Sequence, residues 1–518
     1  MLGLSGKSEK NPLVAAVGGK HDTSRKTILP GKVDETFVYF TLLLFGISTG
    51  QIQPSDLVRT AASSRHYGFY AATFDRVYLL GVRWQFGLAR ASETVGLSVK
   101  SEEFKLLLMK LAQVLRLGED LSIFFKHELD AVISGFVSGY ERSMKSMDLL
   151  LEMYSTMMST SSFLVSSLLL LTMISGGGGS SSQFVVTITT AILAGLASFI
   201  FLAYMIFPKD KISNIKFLPE GAVFKKRLYM GLGAGIVVGL GMGVSGIVPV
   251  PLAISAAGAP LLLPGMMARK IDAKVRRIDD YYPSFARHLG DVYHTVGSLG
   301  ASLKSVLRSD FGDLSKYIEA MSNRVQSRIK IEDAFDLFSQ ETSSSLIAAG
   351  NTVLGSAMVK GANMLDVGAK LSEISSRFLE IRSKRLQSAK AFESTILIMH
   401  VLTLGVFSLI NRLLQFLQQY FSLQNSISGH GGAAGVLSLT PADPGVMVIL
   451  LPAMAIALSA INGMALKVFQ GGLYQTVWFT IAILMIVGGL VLYGIDQFLS
   501  NMLGSVLDIQ HTIGSATK

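Results

Sequence analysis

No charged residue occurs between Glu152 and Lys209, and none between Arg227 and Arg269. That feature narrows the fold before any motif is considered. A helix that crosses a bilayer needs about 20 mostly apolar residues, and each of these stretches is long enough for two. In the first, the run GGGG at 176–179 followed by SSS at 180–182 marks a turn, which predicts spans over about 156–175 and 184–207. In the second, Pro249 and Pro251 separate a third and a fourth span within 228–268. Three more apolar runs, at about 394–411, 445–466 and 474–495, lie between the charged markers Glu393 and Arg412, Asp443 and Lys467, and then Asp496. Only 16% of the 518 residues are charged, against about 25% in an ordinary soluble domain. The fold class expected is an all-α integral membrane protein with about seven spans.

The basic residues give an orientation. The link 208–227 carries Lys209, Lys211, Lys216, Lys225, Lys226 and Arg227, and Arg269, Lys270, Lys274, Arg276 and Arg277 follow the fourth span. The segment 413–444 has neither Lys nor Arg. Lysine and arginine concentrate in cytoplasmic loops, so an N-terminus inside and a C-terminus outside satisfies every loop. The formal net charge of +10 is explained by this border cluster and its attraction to anionic lipid. No nucleic-acid partner is expected, because the basic residues sit at membrane borders. The polar start (Lys7 to Lys10, Lys20 to Lys26) lacks the apolar core of a cleaved signal peptide, and cysteine is absent.

Gly241, Gly243 and Gly246 follow an apolar run in the order G-x-G-x-x-G, which by motif alone suggests a dinucleotide loop. Such a loop opens a helix and has an acid about 20 residues on. Here prolines follow, and the next acid is Asp272, beyond another span. Gly231, Gly235, Gly239 and Gly243 instead recur every fourth residue, lining one helix face where another helix can approach closely in lipid. The stretch reads as a glycine-faced membrane helix.

Two longer blocks remain, 30–152 and 269–393. Pro54 is the only proline between 31 and 207, none occurs between 284 and 440, and the apolar residues follow helical spacing, as in Phe104, Leu107, Leu108, Leu111 and Leu115. The blocks also correspond in order. "VYFTLLLFGISTG" leads to a short helix near Pro54, and "YYPSFARHLGDVYHTVGSLG" leads into "ASLKSVLRS". Both opening helices are expected to be buried core helices. Gly50 and Gly300 mark these corners. Later, Gly118 and Gly361 each break two helices, and from each a long helix runs into the next span. The expected organisation is a polar tail (1–29), a first cytoplasmic helical domain (30–152), four spans (153–268), a second helical domain (269–393), three spans (394–496) around the external loop 413–444, and an external tail (497–518).

Ser48 to Gly50 with Pro54, Leu117 to Asp120, Gly297 to Ser302 and Val359 to Met364, set in this repeated architecture, make residues 30–412 resemble the type II secretion F-domain family. The four spans between the repeats make the chain most similar to the archaeal branch, which serves archaella and archaeal pili. That resemblance implies an inner-membrane platform for a type IV filament machine. It implies a hexameric cytoplasmic ATPase and pilin-like or archaellin subunits as partners, and a homodimer. It also implies that the eleven basic residues named above face the ATPase or lipid.

Enzyme chemistry is not expected, and neither is a bound cofactor or metal. No G-x-x-x-x-G-K-[ST] loop occurs. His288, Asp291 and His294 form the only tight cluster of possible metal ligands, and it lacks further partners. The alternative class is a transporter or channel with cytoplasmic regulatory domains. It would place ionisable groups inside spans. His400 is the only residue well inside a span that titrates near neutral pH, and it reads as a helix-packing hydrogen-bond donor.

Overall fold

The computed structural model describes residues 34–174, 179–207, 212, 220–245, 248–427 and 444–516. The tail 1–29 and residues 176–178 of the expected turn lie outside them, while 179–182 already belong to a helix. The described residues form sixteen α-helices and no strand. Five short helices come first: α1 (Glu35–Ser48), α2 (Pro54–Ser63), α3 (Phe69–Tyr78), α4 (Leu88–Ser98) and α5 (Glu102–Leu117). They lead into the rod α6 (Leu121–Ile174), followed by α7 (Gly179–Ile206) and α8 (Glu220–Ser245). Helix α9 (Val250–Val296) then opens a similar series: α10 (Leu299–Val306), α11 (Ser315–Gln326), α12 (Ile331–Thr342) and α13 (Ser345–Val359). These feed a second rod, α14 (Met364–Ile427), and the chain closes with α15 (Pro444–Gln470) and α16 (Val477–Ala516).

Six of these helices (α6, α7, α9, α14, α15 and α16) are long and apolar enough to cross a membrane. The protein is an all-α, multi-pass integral membrane protein. Helix α8, at the position of the third expected span, is not among the six described, and its opening turns carry Lys225, Lys226 and Arg227. A second difference concerns 413–444. Helix α14 continues through Ile427, about four turns past Arg412. No glycine or proline lies between Arg412 and Ile427 to stop it. The C-terminal segment 497–518 likewise continues α16 as far as Ala516.

Local chemistry accounts for the rod starts. Gly118 takes a left-handed conformation (φ +74°) just after α5, and Gly361 does the same (φ +67°) after α13. Glycine adopts that region without the strain a Cβ would bring. Each rod then restarts the helix in a new direction. At the N-terminus of α1, an Asp34 carboxylate oxygen accepts from the Phe37 amide at 2.8 Å, capping a donor the helix itself cannot satisfy.

The two outer blocks do not keep separate cores. One buried cluster takes residues from Phe37 to Ile133 and from Ile278 to Phe378. Helix α1 is buried from Phe37 to Ser48, enclosed by α6, α13 and α14. Its counterpart, the outer end of α9, is one-sided instead. Phe285, Ala286, Leu289 and Gly290 are buried, while Arg287 and His294 are exposed. Only the first of the two opening helices is therefore a fully buried core helix. The charged residues on the second find water on its free face. A second apolar cluster joins the membrane ends of α6, α7, α9, α14, α15 and α16.

Candidate functional site where the spans meet the outer body

Three helices (α6, α9 and α14) pass unbroken between the outer body and the spans. The basic residues collect at this border, beside the turn between α15 and α16. Lys209, Lys211 and Lys216 lie outside the described residues, and for Lys225 only its place in α8 is described. The Arg227 guanidinium donates to the Met267 sulfur at 2.9 Å, which seats the start of α8 beside α9. Lys226 and Arg227 thus come together with Arg269 and Lys270. The Arg269 guanidinium lies 4.4 Å from the centre of the Phe479 ring on α16. Arg276 donates to Asp272 at 2.8 Å and Arg277 to Asp313 at 3.0 Å. Four of the basic residues are therefore engaged within the chain. Lys226 and Lys270 are exposed, and Lys274 is half-buried.

The α15–α16 turn plugs into a socket of polar side chains. The last carbonyls of a helix have no partner inside it. For α15 these are met by buried Arg385 on α14, which donates to Phe469 O and Val468 O, each at 2.9 Å. A cation there also complements the negative end of the helix dipole. Lys467 donates to Gly471 O at 2.5 Å, and Asp272 on α9 accepts from the Leu473 amide at 3.1 Å. Gly472 holds φ +75°, a conformation that strains any residue with a side chain, and a Cβ there would lie 2.7 Å from an Arg276 nitrogen. Leu473 packs with Phe224, Ala268 and Ile271. The α7–α8 link joins them through Ile212, whose carbonyl accepts from the Ser345 amide at 3.1 Å at the start of α13.

A second joint holds the outer body to the rods. Arg382 on α14, 8% exposed, donates to both carboxylate oxygens of Glu35 at 2.8 and 2.9 Å. Buried Asp279 on α9 accepts from the hydroxyl of Ser344, which also accepts from the Ile347 amide to cap α13. Buried charges are tolerable only with such partners. The chemistry of both joints is mechanical: they fix helix ends to one another. Among the described residues, no group of three or more His, Asp and Glu is placed to hold a metal ion. His288 faces the Phe311 ring at 6.4 Å.

The glycine face of α8 packs on α9 of the same chain. A Cβ on Gly235 would lie 2.8 Å from Ala257 O, one on Gly239 2.9 Å from Ala257 Cβ, and one on Gly231 3.0 Å from Pro260 O. Gly243, one turn on, meets nothing within 4 Å. Of the repeat-motif glycines, Gly50 serves a close approach: a Cβ there would lie 2.7 Å from Lys360 O in the other repeat. Gly300 is in ordinary contact, its nearest neighbour being Val325 at 3.7 Å. Sequence reasoning missed Arg385, Asp272 and Lys467. Only the pair Gly471 and Gly472, which announces a tight turn, pointed toward their site.

With this geometry in hand, the chain can be set beside known proteins. No protein-family model matches it, and no solved structure matches it. It is similar to two proteins named Flagella accessory protein J. The one from Methanocaldococcus jannaschii is 24% identical over 465 residues, covering 85% of this chain and 80% of that protein. The one from Methanococcus voltae is 24% identical over 429 residues, covering 77% of this chain and 73% of that protein. Matches of this length take in both the spans and the outer body.

Proposed function

We propose that this chain is the integral-membrane platform of an archaeal type IV filament machine, an archaellum or a related pilus. In this reading the outer body lies in the cytoplasm, with the N-terminus inside and the C-terminus outside, and α8 supplies a seventh span. A hexameric ATPase docks on the body from below, and its cycle drives insertion of pilin-like or archaellin subunits at the filament base. The observation that carries the proposal is the pair of rods. Helix α6 runs 54 residues and α14 runs 64 residues without a break, from the far end of the body into the membrane. At about 1.5 Å per residue, each extends roughly 80 Å or more and can carry a displacement across the bilayer border. The similarity to two Flagella accessory proteins J supports the assignment to filament assembly.

The basic surface serves the motor or anionic lipid in this scheme. Phe479, Asp272 and Asp313 engage Arg269, Arg276 and Arg277. The docking role therefore falls on Lys226, Lys270, Lys274 and the α7–α8 link. Because the α8 glycine face is taken up by α9, a homodimer would form through another surface. The test is genetic. A strain lacking this chain should make no filaments visible by electron microscopy, and the unmodified chain should restore them. Lys384→Pro, at an exposed position on α14 between body and span, should reach the membrane in normal amount yet fail to restore filaments. Normal filaments in the strain lacking the chain would sink the assignment.

A further inference from the structure

His400 lies wholly buried inside the membrane bundle, and both of its ring nitrogens have partners. Nε2 lies 3.1 Å from the carbonyl oxygen of Leu484 on α16. A carbonyl only accepts, so Nε2 carries the proton and the neutral ring leaves Nδ1 as an acceptor. Nδ1 lies 3.2 Å from the side-chain nitrogen of Asn462 on α15, which donates to it. The Asn462 oxygen is then turned to Tyr154 on α6, whose hydroxyl donates to it at 2.6 Å. Ser459, a further neighbour 3.4 Å from Nε2, gives its own proton to Ala455 O at 2.7 Å. Gly488 makes the approach possible, since a Cβ there would lie 3.0 Å from Nε2.

The direction of every bond is thereby determined: Tyr154 to Asn462, Asn462 to His400, His400 to the α16 backbone. Four helices are tied in series, among them both rods. We infer that this chain of hydrogen bonds locks the axial register of α6 and α14 against α15 and α16, so that the rods enter the membrane as one mechanical unit. A register slip of one residue moves a helix about 1.5 Å along its axis and turns it by about 100°, which swings each of these side chains away from its partner. Water is not at hand in the bilayer core to replace a lost partner. With both nitrogens committed and no exposure, His400 is a structural link rather than a station on a proton path. The inference does not depend on what the machine assembles.

Absence of cysteine permits a direct test in the full chain, reconstituted in lipid nanodiscs. Spin labels are placed through Met153→Cys on α6 and Met464→Cys on α15, both exposed positions. The parent should give a narrow distance distribution by pulsed electron resonance. His400→Leu and Tyr154→Phe should broaden or shift it, and His400→Leu should lower the melting temperature by several degrees. His400→Gln, which can accept from Asn462 and donate to Leu484, should recover the narrow distribution. If His400→Leu does not fold, Tyr154→Phe decides alone, since it removes a single hydroxyl. An unchanged distribution in Tyr154→Phe and in any folded His400→Leu protein overturns the inference, as does a Gln variant that behaves like Leu.

Discussion

Around Phe104 the outer body gathers Phe37, Phe40, Tyr70 and Phe74, with ring centres 4.9 to 6.3 Å from its own. At Gly265 in the bundle, a single added methyl would come within 2.5 Å of the Phe479 backbone. The same contrast recurs along the α9–α16 contact, where Gly258 lies against Ala482 and Gly489 against Pro251. In water, burying large apolar surface is itself the driving force, so big rings gather at the centre. Lipid tails are as apolar as leucine, and that force is missing between spans. Close backbone approach and interhelical hydrogen bonds take its place. Ser255 shows the second device, donating to Ile486 O across the same contact at 3.0 Å.

Three substitutions test this contrast. Phe104→Ala should have the largest effect, about 3–5 kcal/mol, because it leaves a cavity among rigid rings that cannot collapse into it. Denaturant unfolding of the detergent-solubilised chain, followed by protease resistance of the outer body, measures it. A loss well under 1 kcal/mol would mean that the aromatic cluster is not the organising core. Next is Gly265→Leu, which forces side-chain bulk into a backbone contact and should destabilise by about 1–3 kcal/mol. The outer-body control is Gly96→Ala, where the added Cβ would have Leu108 Cβ as its nearest neighbour, at 3.3 Å. Thermal melts should rank Gly265→Leu clearly above the control, and equal shifts would dissolve the claim that small residues matter more in the bundle. The smallest effect belongs to Ser255→Ala, at roughly 0.6 kcal/mol, typical of a hydrogen bond between spans. A loss as large as that of Phe104→Ala would show that polar ties dominate the bundle.

Helical content was legible because charge-free runs, helical spacing and the scarcity of proline are local properties. The four-residue glycine spacing in α8 announced a packing face but could not name its partner, which proved to be α9. Reading the two opening helices as alike failed for a non-local reason. The stretch 37–48 is enclosed on several sides, whereas 285–296 has a free face. Arg412 closes the apolar run 394–411, yet α14 continues to Ile427. A charged residue marks the edge of an apolar run, while a helix stops only where glycine, proline or a competing contact stops it.

The residues alone determined that this chain is helical, that it enters a membrane several times, and that two similar series of helices feed the long segments at Gly118 and Gly361. Hydrophobic patterning and backbone preference act within a few turns, so a linear reading captures them. Only the tertiary structure decided that both series share one core, that Arg385 caps a helix far along the chain, and that Tyr154, Asn462 and His400 meet. Each of those contacts joins residues separated by long stretches of sequence. Their energies depend on distances and angles that no local spacing encodes.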